Sequence, residues 1–289
     1  MIVMIAMPRM YLTATTLLLL SQTTSAAHKI GDFESPSWSI GDLVFDGLYI
    51  LIYLACTIFC ITVAKNLPNH RASFITLLGA LSLAIAHLSL LIAFRVIYDG
   101  SPSIIGESYY MLQTVVLFFR FWSYDVLYVA LGLVLLDRRK SALGAPFDKQ
   151  DKIAFGVLFG AITVFAVFST TVPAVYAADL KGRVSLFDEL VAPLGVFSVT
   201  WAAAAVAVGY VASYVNKRLN RAGIRDKISR LMLVVITPFS ALLCTVGVIM
   251  TWLPTLVMAT LFVDGFFCAI TITLLIWGMK PEYWYYKSE

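Results

Sequence analysis

Long apolar runs recur along this chain, and short polar stretches separate them. An α-helix needs about 20 predominantly apolar residues to cross the hydrocarbon core of a bilayer. Seven runs meet that length, and the connections between them are too short to hold a folded domain. The pattern predicts an all-α polytopic membrane protein, a seven-transmembrane-helix bundle. The predicted spans are approximately 43–64, 73–97, 109–136, 153–177, 189–213, 230–252 and 255–278.

The first residues are typical of a secretory signal peptide. Arg9 precedes an apolar stretch at 11–20, and Thr24-Ser25-Ala26 has the small-x-small form that signal peptidase recognises. We therefore predict a signal peptide at 1–26 and a short lumenal or extracellular tail at 27–42. An uncleaved anchor with eight spans is the alternative. Both interpretations predict a multi-pass membrane protein of the secretory pathway, in the endoplasmic reticulum or the plasma membrane.

The composition excludes an ordinary soluble domain. Apolar residues make up 60% of the chain and charged residues only 13%, with a mean hydropathy of +0.87. A soluble domain carries about 25% charged residues, so the shortage indicates a surface in contact with the lipid bilayer. The net charge of +4 does not indicate a nucleic-acid partner, because the basic residues fall almost wholly in three short loops.

Lys and Arg residues cluster on alternate connections between the spans. Fifteen lie on one side of the predicted bundle and four on the other, and the cationic side is the cytosolic one. The pattern predicts an N-terminus outside and a cytosolic C-terminus, with 43–278 as the transmembrane domain and 279–289 as a cytosolic tail. In that tail, Tyr283-Trp284-Tyr285-Tyr286 is typical of an interfacial anchor. The basic loops on the cytosolic side are 65–72, 137–152 and 214–230.

The cysteines give no sign of a disulfide framework or a metal site. All four lie within apolar runs, where a cysteine usually acts as a small hydrophobe. No further Cys or His follows at zinc-binding spacing. We expect no metal and no cofactor. The cysteines are Cys56, Cys60, Cys244 and Cys268.

Two opposite charges fall near the middle of predicted spans. The helical rise places Arg120 about 16 Å below the outer surface in the third span, and Asp264 at about the same depth in the seventh. Charges at such depth cost about 2.5–3.5 kcal/mol each on insertion scales. We predict that Arg120 and Asp264 pair, which either locks two helices together or contributes to a site.

Asp125 lies about 7 Å deeper than Arg120 and is rotated roughly 140° away from it. One partner is therefore not expected to serve both residues. Trp122 and Tyr128, one helical turn before and after Asp125, share its face. Asp125 either accepts a hydrogen bond from a neighbouring helix or stays protonated, and a protonated acid in an apolar setting is a proton donor.

Ionisable residues concentrate in the outer half of the predicted bundle, where His87 of the second span also lies. We predict a buried cavity there; solvated helix ends and a satisfied core histidine are the alternatives. Three prolines within spans predict kinks that free backbone carbonyls. The outer ionisable residues are Asp46, Arg95, Glu107, Asp188 and Glu189, and the prolines are Pro173, Pro193 and Pro238.

The plan of seven helices with an outside N-terminus resembles that of G-protein-coupled receptors. Asp137-Arg138-Arg139, at the cytosolic end of the third span, looks like the acidic-Arg motif that those receptors carry there. The seventh span lacks Asn-Pro-x-x-Tyr, and it also lacks the Lys of a retinal-binding rhodopsin. The resemblance implies a receptor or sensor for a small ligand, with the 214–230 loop as its signalling surface.

The architecture is also similar to that of small seven-helix membrane proteins of fungal secondary-metabolite pathways, including the integral-membrane terpene cyclases. The likeness lies in size, short loops and buried acids, and no family motif aligns with a stretch of this sequence. It implies acid-catalysed cyclisation of a terpenoid-like substrate by intramembrane carboxylates. Other membrane-bound enzymes of the same pathway would then be partners.

Our leading hypothesis is a membrane-embedded biosynthetic protein that acts on a lipophilic small molecule. Asp125 is the candidate general acid, and Asp264, Arg120 and His87 are expected to orient it or to stabilise charge. The candidate ligand-binding residues combine aromatic side chains, whose faces stabilise a carbocation, with two outer carboxylates. They are Phe121, Trp122, Tyr124, Tyr128, Glu107 and Glu189.

Overall fold

The computed structural model describes residues 40–98, 107–179, 186–252 and 257–284, and over these ranges the chain is helical and contains no strand. The first five spans each form one long helix, and the sixth consists of three joined parts. The elements are α1 (Ile40–Asn66), a 3₁₀ turn (Pro68–His70), α2 (Arg71–Tyr98), α3 (Glu107–Leu143), α4 (Lys149–Asp179), α5 (Leu186–Arg221), α6 (Lys227–Leu231), a π-helical turn (Met232–Ile236), α7 (Thr237–Trp252), α8 (Val257–Gly278) and a final 3₁₀ turn (Pro281–Tyr283).

Within the described residues, seven helical segments are long and apolar enough to cross a membrane, as the sequence predicted for this part of the chain. Two helices continue well beyond their apolar runs at the ends that carry most of the Lys and Arg: α3 reaches Leu143 and α5 reaches Arg221. The sequence prediction ended these spans early because it followed hydropathy, whereas the charged turns are held by ion pairs. The predicted signal peptide at 1–26 lies outside the described residues.

The helices pack side by side in chain order, and α8 returns to contact α1. The third span is the central one, because α3 packs against α2, α4, α5 and α6. In its most apolar window 61% of the residues are buried, compared with 28% for α1. Exposed Val, Leu, Ile and Phe side chains cover the outward faces of the helices. Residues of α3 are therefore best placed to form a site inside the bundle.

The π-helical turn lies just before Thr237-Pro238 and allows the sixth span to contain this proline. Proline has no backbone N–H and cannot bond to the carbonyl four residues earlier. The hydroxyl and the backbone N–H of Thr237 both donate to the carbonyl of Met232, five residues back. The wider turn therefore keeps the backbone hydrogen-bonded at the point where proline interrupts the regular pattern.

Candidate functional site

Asp125 lies inside the bundle on the side of α3 that faces α4. It is 2% exposed, and the hydroxyl of Ser169 on α4 faces its carboxyl group. Within the described ranges, neither the carboxyl oxygens nor that hydroxyl has a hydrogen-bond partner of good geometry. No described Lys, Arg or His forms an ion pair with Asp125. The carboxyl group is thus buried without a compensating charge.

Aromatic rings from three helices form a wall beside Asp125. The indole of Trp201 on α5 stacks on Tyr124 of α3, with ring centroids 5.1 Å apart, and on Phe165 of α4, at 5.6 Å. Tyr128, one turn after Asp125, meets Phe165 edge to face. Stacked rings of this kind present polarisable faces to whatever lies against them.

Gly247 on α7 leaves room for the Trp201 indole in the aromatic wall. The six-membered ring of Trp201 packs directly on Gly247, where a Cβ atom would overlap it. Nearby on α7, the carbonyl of Ser240 accepts a hydrogen bond from the Tyr128 hydroxyl at 3.2 Å. The wall is therefore anchored to α7 as well as to α3, α4 and α5.

Three hydrogen-bond donors around this wall are buried and lack a partner of good geometry among the described residues: the hydroxyls of Ser169 and Ser240, and Nε1 of Trp201. Each such group costs about 1–3 kcal/mol, so native proteins hold few of them. Ser169 faces the Asp125 carboxyl, and Trp201 and Ser240 adjoin Tyr128. Such a set suits a ligand that combines an apolar body with a polar group. We call Asp125, Tyr128, Ser169, Trp201 and Ser240 the Asp125 cluster.

Arg120 and Asp264 lie in a second polar cluster, among α1, α2, α3 and α8. Arg120 Nε donates to the hydroxyl of Tyr124 at 2.9 Å, and the carboxylate of Asp264 accepts from the hydroxyl of Tyr53 at 3.1 Å. The two charges are near enough to attract each other. Each charge also has a tyrosine hydroxyl as a hydrogen-bond partner, so Arg120 and Asp264 belong to one network with Tyr124 and Tyr53.

Residues nearer the C-terminal end of α2 complete the second cluster. Nδ1 of His87 lies 3.0 Å from the carbonyl of Val116 and so bonds α2 to α3. Arg95 of α2 forms a buried ion pair with Asp46 of α1, so for these two residues the alternative of solvated helix ends is wrong. We call this group the paired cluster. It comprises Asp46, Tyr53, His87, Arg95, Arg120, Tyr124 and Asp264.

The structure divides the predicted catalytic set. Asp125 belongs to one cluster, whereas Asp264, Arg120 and His87 belong to the other, as the predicted rotation around α3 indicates. Asp125 is therefore not oriented by these three residues. Tyr124 is the residue common to both groups, because its hydroxyl bonds to Arg120 and its ring stacks on Trp201.

The remaining ligand-binding candidates occupy different positions. Phe121 is buried against Phe197 of α5, with ring centroids 4.5 Å apart. Trp122 lies partly exposed at the bundle surface and donates to the hydroxyl of Thr170 on α4 at 3.2 Å. The side chains of Glu107 and Glu189 lie outside the described part of the structure.

Sequence reasoning missed Trp201 and the two serines of the Asp125 cluster. Trp201 is directly followed by four alanines, and a lone large aromatic side chain in a stretch of small residues is a signal that packing is built around it. Ser169 and Ser240 carry no comparable signal, because a serine in a span usually donates to a backbone carbonyl of its own helix.

In Asp137-Arg138-Arg139, the run that resembles a receptor motif, both arginines are buried and Asp137 is partly exposed. Arg138 donates to the carboxylate of Asp226 at 2.7 Å, and Arg139 pairs with Asp151 of α4. Both arginine side chains are 0% exposed. Asp226 also accepts from the backbone N–H of Ser229 and caps α6. These ion pairs tie the end of α3 to the connections on either side.

Trp284 does not form the predicted interfacial anchor. It is buried, with its ring against His70 and Phe74 at centroid distances of 5.0 and 5.4 Å. Its backbone carbonyl accepts from Arg138 at 3.0 Å, and its indole N–H donates to the carbonyl of Trp277 at 2.9 Å. The prediction is wrong for Trp284 because the Arg138 guanidinium and the neighbouring rings cover its apolar body, while the Trp277 carbonyl accepts from its indole N–H.

Arg218 extends the same ionic network to the surface. It lies 2.6 Å from Asp148 and 3.1 Å from Asp151. Hydrogen bonding from Arg218 lowers the pKa of Asp148 to about 2. We call the whole network at this end of the bundle the end plate. It comprises Asp137, Arg138, Arg139, Asp148, Asp151, Arg218, Asp226 and Trp284.

Comparisons with protein families, with curated proteins and with solved structures give no match. The class of the protein therefore follows from its own fold, which is that of a multi-pass helical membrane protein with seven candidate spans among the residues that the structure describes. Within that class, the chemically distinctive feature is a buried carboxyl group without a counter-charge beside an aromatic wall.

Proposed function

We propose that this protein is an intramembrane enzyme that uses Asp125 as a general acid on a lipophilic, terpenoid-like small molecule. The observation that carries the proposal is the burial of the Asp125 carboxyl without a described ion-pair partner. A carboxyl group in such a setting takes up a proton instead of holding an unpaired charge. It can then deliver that proton to a substrate.

The neighbours of Asp125 suit the reaction that the proposal requires. Protonation of an alkene or an epoxide leaves a carbocation, and the faces of Tyr124, Trp201 and Phe165 can stabilise that positive charge. The Asp125 carboxylate then takes a proton back from another carbon, which ends the reaction and restores the acid. Substrate and product are isomers, so atoms balance without an oxidant or a reductant.

The proposal is tested by replacing the acid with its isosteric amide. Wild-type protein and Asp125→Asn are reconstituted in vesicles with a panel of isoprenoid alkenes and epoxides, and isomeric products are separated by chromatography with mass detection. We expect Asp125→Asn to lower the product yield by about 100-fold or more. Asp264→Asn makes the same chemical change in the paired cluster and should retain most of the yield. Equal yields from Asp125→Asn and wild type would refute the acid role.

We further infer that the N-terminus lies outside and the C-terminus in the cytosol, in a membrane of the secretory pathway. The support is the concentration of Lys and Arg on alternate connections. The signal peptide proposed at 1–26 agrees with this orientation. Tags inserted at 222–223, in the connection between α5 and α6, and at 253–256 should be found on opposite faces of the membrane.

A receptor or sensor is the second candidate, and one specific observation favours it. The Arg138–Asp226 ion pair joins the end of α3 to the start of α6, so its rupture would separate two spans at the face where a signalling partner would dock. Ligand-dependent protease sensitivity of the 214–230 loop would favour a receptor. Turnover of a lipid by the purified protein would favour the enzyme.

A further inference from the structure

Asp125 and Ser169 of the Asp125 cluster lie at the seam between α3 and α4. Trp122 precedes Asp125 by three residues and so lies on the same face of α3. Thr170 adjoins Ser169 on α4. Trp122 and Thr170 reach the outside of the bundle and are joined by the 3.2 Å hydrogen bond, whereas Asp125 and Ser169 are buried. This side-chain hydrogen bond therefore joins α3 to α4 between Asp125 and the outside of the bundle.

The backbone of α4 is weakened just beyond this hydrogen bond. Pro173 lies inside α4, and it has no N–H to bond to the carbonyl of Ser169 four residues earlier. A helix that lacks a backbone bond at one turn bends there more readily than elsewhere. The turn that carries Ser169 and Thr170 can therefore move relative to α3 with little loss of backbone hydrogen bonding.

Beyond Asp125, toward the C-terminal end of α3, the same seam is tightly packed. Gly132 of α3 lies against Phe159 and Leu158 of α4, so closely that an added Cβ atom would come within 3.1 Å of the Phe159 ring. Farther along, the end plate covers the bundle with Arg138 and Arg139 fully buried. Along the α3–α4 seam, a route from the bilayer to Asp125 therefore runs past Trp122 and Thr170.

We propose that lipophilic ligands reach Asp125 laterally from the bilayer, between α3 and α4, and that the Trp122–Thr170 hydrogen bond is the gate on this route. What happens to the ligand at Asp125 rests on the proposed function, but the entry route between α3 and α4 does not. Because the gate pair is side chain to side chain, it can break without unfolding either helix.

The route can be tested with a lipophilic probe in the absence of turnover. The full chain is reconstituted in phosphatidylcholine vesicles that contain a long-chain alkyl diazirine, the sample is photolysed, and labelled residues are mapped by mass spectrometry. We expect label on Asp125 in the wild type, with an increase of severalfold in Trp122→Ala. Thr170→Val keeps the shape of Thr170 but removes the acceptor for the Trp122 N–H, so it should raise labelling at least twofold.

The matched control is Phe262→Ala, which removes an aromatic side chain that is 53% exposed on α8, away from the seam. It should leave labelling of Asp125 unchanged. The proposal is overturned if Asp125 stays unlabelled in all variants while lipid-facing residues of α4 are labelled, or if Phe262→Ala raises the label as much as Trp122→Ala does. If Trp122→Ala does not fold, labelling of Asp125 in Thr170→Val tests the proposal instead. Labelling that follows this pattern, with normal product yield in Asp125→Asn, would leave the route standing and refute only the acid role.

Discussion

In the end plate, the buried carboxylates of Asp226 and Asp151 each have an arginine as a hydrogen-bonded partner, whereas the equally buried Asp125 has no ion-pair partner among the described residues. Burial of a charge is costly, and a partner offsets that cost. The end plate follows this rule and holds connections together. Asp125 departs from it, and a departure of this kind is characteristic of groups that are kept for chemistry.

The largest expected effect is on stability, from removing one partner of an end-plate pair. Arg138→Met leaves the buried carboxylate of Asp226 without its arginine, which should lower the free energy of unfolding by about 3–5 kcal/mol. Thermal unfolding of the purified protein in detergent measures the change. Arg225→Met, which removes an exposed charge from the same loop, should change the free energy of unfolding by no more than about 0.5 kcal/mol.

A double variant separates loss of the pair from loss of packing. Asp226→Asn keeps a side-chain acceptor that can cap α6, but it carries no charge. Arg138→Met combined with Asp226→Asn should therefore recover a large part of the stability that Arg138→Met loses. If the double variant is as unstable as the two single changes combined, the ion pair does not account for the stability of this end.

A smaller loss is expected in the paired cluster. Tyr53→Phe removes the hydroxyl that donates to Asp264 at 3.1 Å, and a hydrogen bond to a charged group contributes about 1.5–3 kcal/mol. The free energy of unfolding should fall by that amount, because the Asp264 carboxylate stays buried. Tyr210→Phe, at a residue that is largely exposed, is the control and should have almost no effect.

Replacing Asp125 should not lower the stability, in contrast to the substitutions above. Asp125→Leu replaces the carboxyl with an apolar group of similar size and breaks no described ion pair. The melting temperature should stay the same or rise, while any acid-dependent activity is lost. A decrease in the free energy of unfolding as large as that of Arg138→Met would show that Asp125 is held by a charged partner after all.

The smallest effect belongs to the exposed rim of the end plate and depends on pH. The pKa of Asp148 is lowered to about 2 beside Arg218, against about 3.9 in an unfolded chain. The Asp148–Arg218 pair therefore stabilises the folded state above about pH 4, and this contribution disappears as the pH falls through about 2. Asp148→Asn should lower the melting temperature slightly at about pH 6 and not at all at about pH 2.

Hydropathy and helical geometry predicted the spans and the division between Asp125 and Arg120, because both depend on spacing within one helix. The contacts of the end plate could not be predicted from spacing within one helix. Arg138 meets Asp226 across 88 positions and Trp284 across 146, and no periodicity links residues so far apart. The clustering of Lys and Arg in the sequence indicated which connections carry the charge, but it did not predict that these arginines are buried.

The Asp125 cluster was predicted in part. Asp125 and Tyr128 followed from their shared face on α3, whereas Trp201, Ser169 and Ser240 come from three other helices and depend on how those helices pack. The stack of Trp201 on Tyr124 requires the absence of a side chain at Gly247. Such complementarity between helices is a property of the assembled bundle.

Infrared spectroscopy of the protein in membranes tests most directly whether Asp125 is held as an unpaired acid. The account predicts a carbonyl stretching band of a protonated carboxylic acid at neutral pH in the wild type. Asp125→Asn should remove this band, whereas Asp151→Asn, which alters an arginine-paired carboxylate of the end plate, should leave it in place. The absence of the band from the wild type, or its persistence in Asp125→Asn, would contradict the account.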